Sequence, residues 1–131
     1  MECINNIKKL LSYIPQNCED EVPVIPDFIS PDSQRLINII PANPNQPYDM
    51  RDVINGTADA DSFFEVHKNF AENMVVGFAR LAGRSIGIVA NQPAFLAGVL
   101  DIHSSQKAAR FVRFCDSFNI PLLVFEDVPG F

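Results

Sequence analysis

The stretch that decides the fold is residues 73–131, NMVVGFARLAGRSIGIVANQPAFLAGVLDIHSSQKAARFVRFCDSFNIPLLVFEDVPGF. Within it, residues 74–80 and 85–90 are short apolar runs rich in Val and Ile, which is typical of β-strands. Ala82 and Gly83 lie between the two runs, and glycine can adopt the positive φ that a tight hairpin turn requires. The pattern therefore predicts two paired strands.

Residues 104–118 have the period of an amphipathic helix. One set of apolar residues recurs at helical spacing and predicts a buried stripe: Ala108, Phe111, Val112, Cys115 and Phe118. Charged and polar residues fall on the other faces: Lys107, Arg110, Arg113 and Ser117. Ser104 or Ser105 can cap the start of this helix, and Asn119 can adopt the left-handed conformation that ends it.

Residues 122–125 form an apolar run that predicts a fully buried strand. A strand, a crossover helix and a following buried strand together make the repeating unit of a parallel sheet. Residues 73–131 therefore belong to the α/β class.

The first part of the chain has smaller elements. Residues 4–14 place apolar side chains at helical intervals, and Pro15 ends that predicted helix. Most of the ten prolines precede Tyr48, so this region is expected to wrap over a surface more than to form one of its own. Asp49 is a plausible cap for a short helix, and residues 36–40 can form a short edge strand or one helical turn.

Composition restricts the possible functions. A chain of 131 residues with 47% hydrophobic content can build one modest core. Its net charge of -6 opposes nucleic-acid binding, and no apolar run approaches the roughly 20 residues needed to span a bilayer. The three cysteines show no framework of pairs, which indicates a reducing, cytoplasmic location, and Cys115 is expected to be a buried structural thiol.

The common catalytic motifs are absent, since the sequence has no P-loop, GxGxxG, GxSxG, HExxH or paired CxxC. His67 and His103 have no orienting partner in the sequence, and Asp101 is expected to support the helix entry. Glu126 and Asp127 follow the last predicted strand. Because open parallel sheets bind ligands beyond the carboxyl ends of their strands, residues 127–131 are the most informative location for a site.

Three segments carry a resemblance to a known family: PYDMRDVI at 47–54, ENMVVGFARLAGRSIGIVANQP at 72–93, and LAGVLDIHSSQKAARFVRFCDSFNIPLLVFEDVPGF at 96–131. They closely resemble the carboxyltransferase (beta) subunit of biotin-dependent acyl-CoA carboxylases, of the propionyl-CoA carboxylase beta and methylmalonyl-CoA decarboxylase alpha type. The resemblance extends from about residue 4 to residue 131.

The resemblance implies a crotonase-like (ClpP/crotonase) fold and a partial domain. Residues 1–131 correspond to the first part of the C-terminal carboxyltransferase domain, truncated within that domain. Residues 1–15 would be an inter-domain helix, residues 16–60 a Pro-rich wrapping segment, and residues 61–131 a core of β-hairpin, helix and strand.

The resemblance also implies an activity, the transfer of a carboxyl group between carboxybiotin and the α-carbon of a short acyl-CoA. The family stabilises the enolate with backbone N–H groups of two oxyanion loops, one in the N-terminal domain and one downstream of Phe131. No catalytic residue and no metal site is therefore expected within this chain, and the fragment is expected to be inactive alone.

What the resemblance leaves in the chain is one wall of the biotin and substrate pocket. Gly130 and Phe131 match the family's VPGF turn, and Asn91 and Gln92 end the second strand of the hairpin. The alternative for both pairs is a tight turn that needs Gly and Pro for backbone reasons.

Several partners follow from the resemblance. They are biotin on a carrier domain, a biotin carboxylase or biotin-carrier subunit, the N-terminal domain of the same subunit, and further copies in a homo-oligomer. Two different functions remain open at this point: the decarboxylase subunit of a sodium-pumping methylmalonyl-CoA decarboxylase, and a non-catalytic scaffold that docks a biotin-carrier subunit through its Phe-rich surface.

Overall fold

The structure, a computed structural model, describes residues 1–43 and 46–129. Its helices are α1 (Glu2–Leu11), α2 (Met50–Thr57) and α3 (Ile102–Ser117), with short 3-10 helices at Ser33–Asn38 and Leu96–Gly98. Its strands are β1 (Phe64–Val66), β2 (Met74–Leu81), β3 (Arg84–Asn91) and β4 (Leu122–Phe125). They form one sheet in chain order, antiparallel from β1 to β3 and parallel between β3 and β4. The predicted α/β class is confirmed.

The β2–β3 hairpin has the predicted two-residue turn. Its register runs from Met74 opposite Asn91 to Leu81 opposite Arg84. Ala82 and Gly83 have φ values of 50° and 77°, which match the positive φ at both positions of a type I′ turn. The Asp59 carboxylate accepts hydrogen bonds from the N–H groups of Ala82 at 3.0 Å and Gly83 at 2.7 Å. Asp59, which lies outside the hairpin, therefore stabilises the turn in addition to the turn's own residues.

The two faces of the sheet carry separate cores, because successive side chains of a strand point to opposite faces. On one face, side chains of α3 pack against the strands in a cluster that includes Val76, Phe78, Val89, Phe111 and Cys115. On the other face, α2 packs in a cluster that includes Met50, Ile54, Val75, Ala79 and Ile88. The sheet therefore lies between helices as the middle of three layers.

Helix α3 approaches β3 closely at Gly87. A Cβ atom added at this glycine would lie 2.7 Å from Cys115 Sγ and 2.9 Å from Leu122 Cδ2. The buried position of Cys115 confirms the prediction of a structural thiol, and burial raises the pKa of this thiol to about 12. The absence of a side chain at Gly87 is what allows the helix to pack this near the sheet.

Strand β4 is not fully buried, contrary to the sequence prediction. Leu122 is 39% exposed and Val124 is 59% exposed, whereas Leu123 and Phe125 pack against the α2 face of the sheet. The strand pairs with β3 on one side and is an edge of the described sheet. A short apolar run does not distinguish a strand buried on both faces from one buried on a single face.

The prediction of helix α3 was correct in position, but the burial of two of its side chains differs from the prediction. Val112 is partly exposed, and Lys107 is buried with only 4% of its surface exposed. The N-cap is Asp101, which accepts the N–H of Ser104 at 2.8 Å while Ser104 Oγ accepts the N–H of Asp101 at 2.8 Å. This capping box confirms that Asp101 supports the helix entry. Asn119 has φ of 53°, as predicted for the residue that ends the helix.

The N-terminal region also departs from the sequence prediction in detail. Residues 33–38 form a 3-10 helix, so of the two alternatives for residues 36–40 the helical turn is confirmed and the edge strand is wrong. None of the residues of α1 is buried, and the apolar side chains of Ile4, Ile7 and Leu11 are exposed in this chain. Within residues 1–43 and 46–129, no helix has the length and apolar character that crossing a bilayer requires.

Candidate functional site

Three strand ends meet at one edge of the sheet. Met74 at the start of β2 lies opposite Asn91 at the end of β3, and Ala90 lies opposite Phe125 at the end of β4. The segments that follow the parallel strands β3 and β4 therefore leave the sheet side by side. This is the kind of edge at which open α/β sheets bind ligands.

Asn91 ties the end of β3 to the loop that precedes α3. Its side chain is buried, and its Nδ2 donates to the carbonyl oxygen of Gly98 at 3.0 Å. The residues just before this contact have unusual backbone conformations, with φ of 49° at Leu96, 52° at Ala97 and 73° at Gly98. Positive φ at consecutive non-glycine residues costs free energy and persists only where surrounding contacts fix it.

Gln92 is buried, with 2% of its surface exposed, and both of its polar side-chain atoms are hydrogen-bonded. Its Oε1 accepts the N–H of Met50 at 3.1 Å and that of Ala94 at 3.3 Å. Its Nε2 donates to Asp49 Oδ1 at 2.7 Å. The side chain therefore joins the end of β3 to the first turn of α2.

Asp49 extends this network to β1. As the N-cap of α2, it accepts the N–H of Arg51 at 2.9 Å, and the guanidinium of Arg51 donates to both carboxylate oxygens of Glu65 at 2.8 Å. Burial alone would raise the pKa of Asp49, but hydrogen bonds from Gln92 and Arg51 and the charge of Arg51 lower it overall. The prediction of Asp49 as a helix cap is confirmed, and the cap is ionised at neutral pH.

Tyr48 reaches the segment that follows β4. Its hydroxyl donates to Asp127 Oδ2 at 2.6 Å, across 79 residues of sequence. Burial, the hydrogen bond and the negative charge of Asp127 raise the pKa of Tyr48 to about 12. The phenol is therefore neutral at physiological pH and serves as a donor.

Asn73 and Lys107 fix the remaining strand end, and sequence reasoning did not identify either as part of the site. Asn73 Nδ2 donates to Val99 O at 2.7 Å, and the backbone carbonyl oxygen of Asn73 accepts the N–H of Gln92 at 3.0 Å. Lys107 Nζ donates to Phe70 O at 2.7 Å, Ala71 O at 3.3 Å and Met74 O at 2.6 Å. Burial lowers the pKa of Lys107. No sequence signal marked them, because their partners are distant backbone carbonyls.

A cavity of about 200 Å³ lies at this edge of the sheet. Most of the residues that line it are apolar, and two are polar, Asn91 and Glu126. The full lining is Met74, Val89, Ala90, Asn91, Leu100, Val124, Phe125, Glu126 and Val128. A separate groove of about 400 Å³ lies between α1, β1 and α3, among Phe70, Phe78, Phe111 and Phe114. The smaller cavity is the candidate site, since it adjoins the ends of both parallel strands.

The predicted site residues have different outcomes. Asn91 lines the cavity, while Gln92 is the next residue and is bonded to α2. Gly130 and Phe131 lie outside the described residues, so their place in a pocket wall remains a prediction, as does the pocket role of Asn91 and Gln92. His67 and His103 are exposed and lie outside the cavity lining.

In the described part of the chain, no group of three or more His, Cys, Asp and Glu side chains is placed to hold a metal ion. The apolar lining of the cavity, interrupted by one amide and one carboxylate, is compatible with a small neutral ring that has a few polar atoms. The ends of β3 and β4 therefore form the candidate binding edge.

This chain belongs to the carboxyl transferase domain family, whose model matches residues 1–131. The recognition of the carboxyltransferase family from sequence is confirmed. A propionyl-CoA carboxylase carboxyltransferase subunit of Haloferax mediterranei is 53% identical over 132 residues, which cover 99% of this chain and 26% of that protein. The alpha subunit of methylmalonyl-CoA decarboxylase of Veillonella parvula is 46% identical over 99% of this chain and 26% of its own length.

Among solved structures, transcarboxylase 12S with hydrolysed methylmalonyl-CoA bound superposes with a TM-score of 0.90 and 50% identity. The match covers 97% of this chain and 25% of that protein, which is described as a hexamer. The predicted crotonase-like fold, present as a partial domain, is confirmed. The chain spans about a quarter of the length of the curated relatives it matches.

Proposed function

We propose that this chain is part of a biotin-dependent acyl-CoA carboxyltransferase that moves a carboxyl group between carboxybiotin and the α-carbon of a short acyl-CoA of the propionyl-CoA and methylmalonyl-CoA class. The observation that carries the proposal is the family match over all 131 residues, at 53% identity to a propionyl-CoA carboxylase subunit. The cavity at the ends of β3 and β4 supports it as a place for a small ring.

Biotin, when bound, would supply a ring nitrogen able to give up the CO₂ unit to the α-carbon of the thioester and to take up the α-proton in exchange. This chain's share of the reaction is binding. Asn91 and the segment after β4 form one wall, with Gln92, Gly130 and Phe131 as its proposed continuation. The donors that stabilise the enolate oxygen are proposed to lie on other parts of the subunit.

The cavity fits the biotin ring in chemical character. Its lining is largely apolar, which suits the thioether side of a bicyclic ring, and it also includes the polar residues Asn91 and Glu126. No Lys or Arg side chain is among the described residues that line it, so a phosphate-bearing part of CoA is not the expected occupant. The CoA moiety would then bind elsewhere in the subunit.

The proposed organisation follows the sequence analysis. Residues 1–15 are an inter-domain helix, 16–60 a wrapping segment and 61–131 the core of a C-terminal carboxyltransferase domain. The exposed apolar side chains of α1 support a helix that packs against another domain. We propose a cytoplasmic homo-oligomer whose partners are a biotin carboxylase or biotin-carrier subunit and the N-terminal domain.

A second candidate is the decarboxylase subunit of a methylmalonyl-CoA decarboxylase. The 46% identity to the Veillonella parvula subunit supports this candidate, although it is lower than the 53% identity to the propionyl-CoA carboxylase subunit. Both functions need the same transfer to biotin, so one experiment addresses their common step. The same experiment separates both functions from a non-catalytic scaffold.

The test uses a chimeric subunit in which residues 1–131 replace the matching quarter of transcarboxylase 12S, a region with 50% identity. The assay supplies methylmalonyl-CoA and free biotin and measures biotin-dependent release of propionyl-CoA. We expect the chimera to retain transfer, and the isolated 131-residue chain to show none.

A host subunit without the matching quarter is the control. An assembled chimera that binds methylmalonyl-CoA but transfers nothing to biotin would favour the non-catalytic scaffold. Robust turnover by the isolated chain would contradict the assignment of the enolate-stabilising donors to other parts of the subunit.

A further inference from the structure

The hydroxyl of Tyr48 connects two parts of the candidate site that are distant in sequence. Tyr48 directly precedes Asp49, whose carboxylate is fixed by Gln92 and by the N–H of Arg51. Its partner Asp127 lies between Glu126 and Val128, two of the residues that line the cavity. The bond at 2.6 Å therefore runs from a rigid helix start to a cavity wall.

The segment after β4 has few other attachments. In the described chain, the bond from Tyr48 is the one side-chain hydrogen bond made to residues 126–129. This segment is also approached by Gly98, where an added Cβ would lie 2.8 Å from the Asp127 carbonyl oxygen. The hydrogen bond from Tyr48 and the close approach of Gly98 together restrict the segment.

We propose that Tyr48 is a positioning residue, which holds the segment after β4 against the cavity through Asp127 and so sets the affinity of the site for biotin without contacting it. The inference rests on the proposed function for the identity of the ligand. The positioning of residues 126–128 by Tyr48 does not depend on the proposed function.

The substitution Tyr48→Phe removes the donor and keeps the ring, which packs beside the α2 core. We expect the KM for free biotin in the chimeric subunit to rise by about three- to tenfold, the effect of losing one hydrogen bond. The KM for methylmalonyl-CoA and the kcat at saturating biotin should change little, since the reacting groups are untouched.

Tyr13→Phe is the matched control, because the chain has two tyrosines and the Tyr13 hydroxyl donates to the carbonyl oxygen of Ser62 in the core. Tyr13→Phe likewise deletes one phenol hydroxyl, and Tyr13 is not among the residues that line the cavity. We expect the biotin KM of this variant to equal that of the unsubstituted chimera. An equal rise in both variants would overturn the inference in favour of a general loss of stability.

The acceptor side gives a second test. Asp127→Asn keeps an acceptor oxygen and should preserve the biotin KM, whereas Asp127→Ala should reproduce the effect of Tyr48→Phe. Combining Tyr48→Phe with Asp127→Ala should add nothing to either single change, since both delete one interaction. Fully additive effects would overturn the inference.

Backbone ¹⁵N order parameters of the 131-residue chain decide the positioning part without any activity. Tyr48→Phe should lower the order parameters of residues 126–128 and leave those of the β2–β3 hairpin unchanged, while Tyr13→Phe should not lower them at residues 126–128. If the unsubstituted chimera transfers no carboxyl group, the proposed function fails and the order parameters still test the inference. If the order parameters of residues 126–128 are unchanged by Tyr48→Phe, the inference fails whatever the activity.

Discussion

The Nε2 atom of Gln92 lies 2.7 Å from Oδ1 of Asp49, and this hydrogen bond joins the residue after β3 to the N-cap of α2. The same side chain accepts the N–H of Met50, the first residue of the helix. One buried amide thus satisfies the start of a helix on one face of the sheet and fixes the edge where the cavity lies. The contact between the start of α2 and the residue after β3 therefore also supports the candidate site.

Replacing Gln92 with Met should destabilise the chain by about 1–3 kcal/mol, because the N–H of Met50 and the carboxylate of Asp49 lose a buried partner. Chemical denaturation followed by circular dichroism measures the change. Gln106→Met is the control, since Gln106 is exposed on α3. Equal stability of the two variants would contradict the role assigned to the Gln92 amide.

The ionisation of Tyr48 can be measured directly. In the Tyr13→Phe variant Tyr48 is the remaining tyrosine, so the ultraviolet absorbance of tyrosinate reports its pKa alone. We expect a pKa of about 12, because burial and the adjacent Asp127 carboxylate oppose ionisation. Asp127→Asn should lower the pKa part of the way towards the ordinary value of about 10, since burial remains.

This shift has a defined effect on stability. A phenol whose pKa is higher in the folded chain than in the unfolded chain stabilises the fold fully below pH of about 10. The contribution is then lost as the pH rises through the folded value of about 12. Alkaline unfolding of Tyr48→Phe should therefore depend less on pH in this range, and an unchanged dependence would contradict the assignment.

Gly87→Ala should destabilise the chain by about 1–3 kcal/mol, because the new methyl group would overlap Cys115 and Leu122 in a packed core. Adding Cys115→Ala to this variant should restore part of the loss, and a double-mutant cycle measures that coupling. Gly56→Ala is the control. The three atoms nearest to its new methyl group belong to the flexible side chain of Leu36, and alanine has the higher helix propensity, so stability should change by less than about 1 kcal/mol.

The three thiols should react in two classes. Cys3 and Cys18 are exposed, whereas Cys115 is buried and its pKa is raised to about 12. A thiol-specific disulfide reagent at neutral pH should therefore modify two cysteines of the native chain rapidly and the third only on unfolding. Rapid modification of three thiols without loss of structure would show that Cys115 is not buried between α3 and the sheet.

The sequence predicted those parts of the fold that depend on residues close together in the chain. The hairpin followed from two apolar runs around Ala82 and Gly83, and α3 followed from the helical spacing of Phe111 and Cys115. In each case the turn or the period lies within one continuous segment. Local chemistry was sufficient for these elements.

The site depended on partners that sequence spacing does not reveal. The helical spacing predicts an outer, solvated face for Lys107, yet this lysine donates to carbonyls 33 to 37 residues earlier in the chain. The bonds from Gln92 to Asp49 and from Tyr48 to Asp127 span 43 and 79 residues. Such pairs are set by how the layers pack, so a single sequence did not indicate them.

The order of the strands bears on how the molecule assembles. Each strand of the sheet lies beside the strand that precedes it in the chain, and β2 and β3 are separated by two residues. Closing so short a loop costs little entropy, so we expect this hairpin to form early in folding. During synthesis the sheet can then grow in the direction of translation, with β4 docking after the crossover helix has left the ribosome.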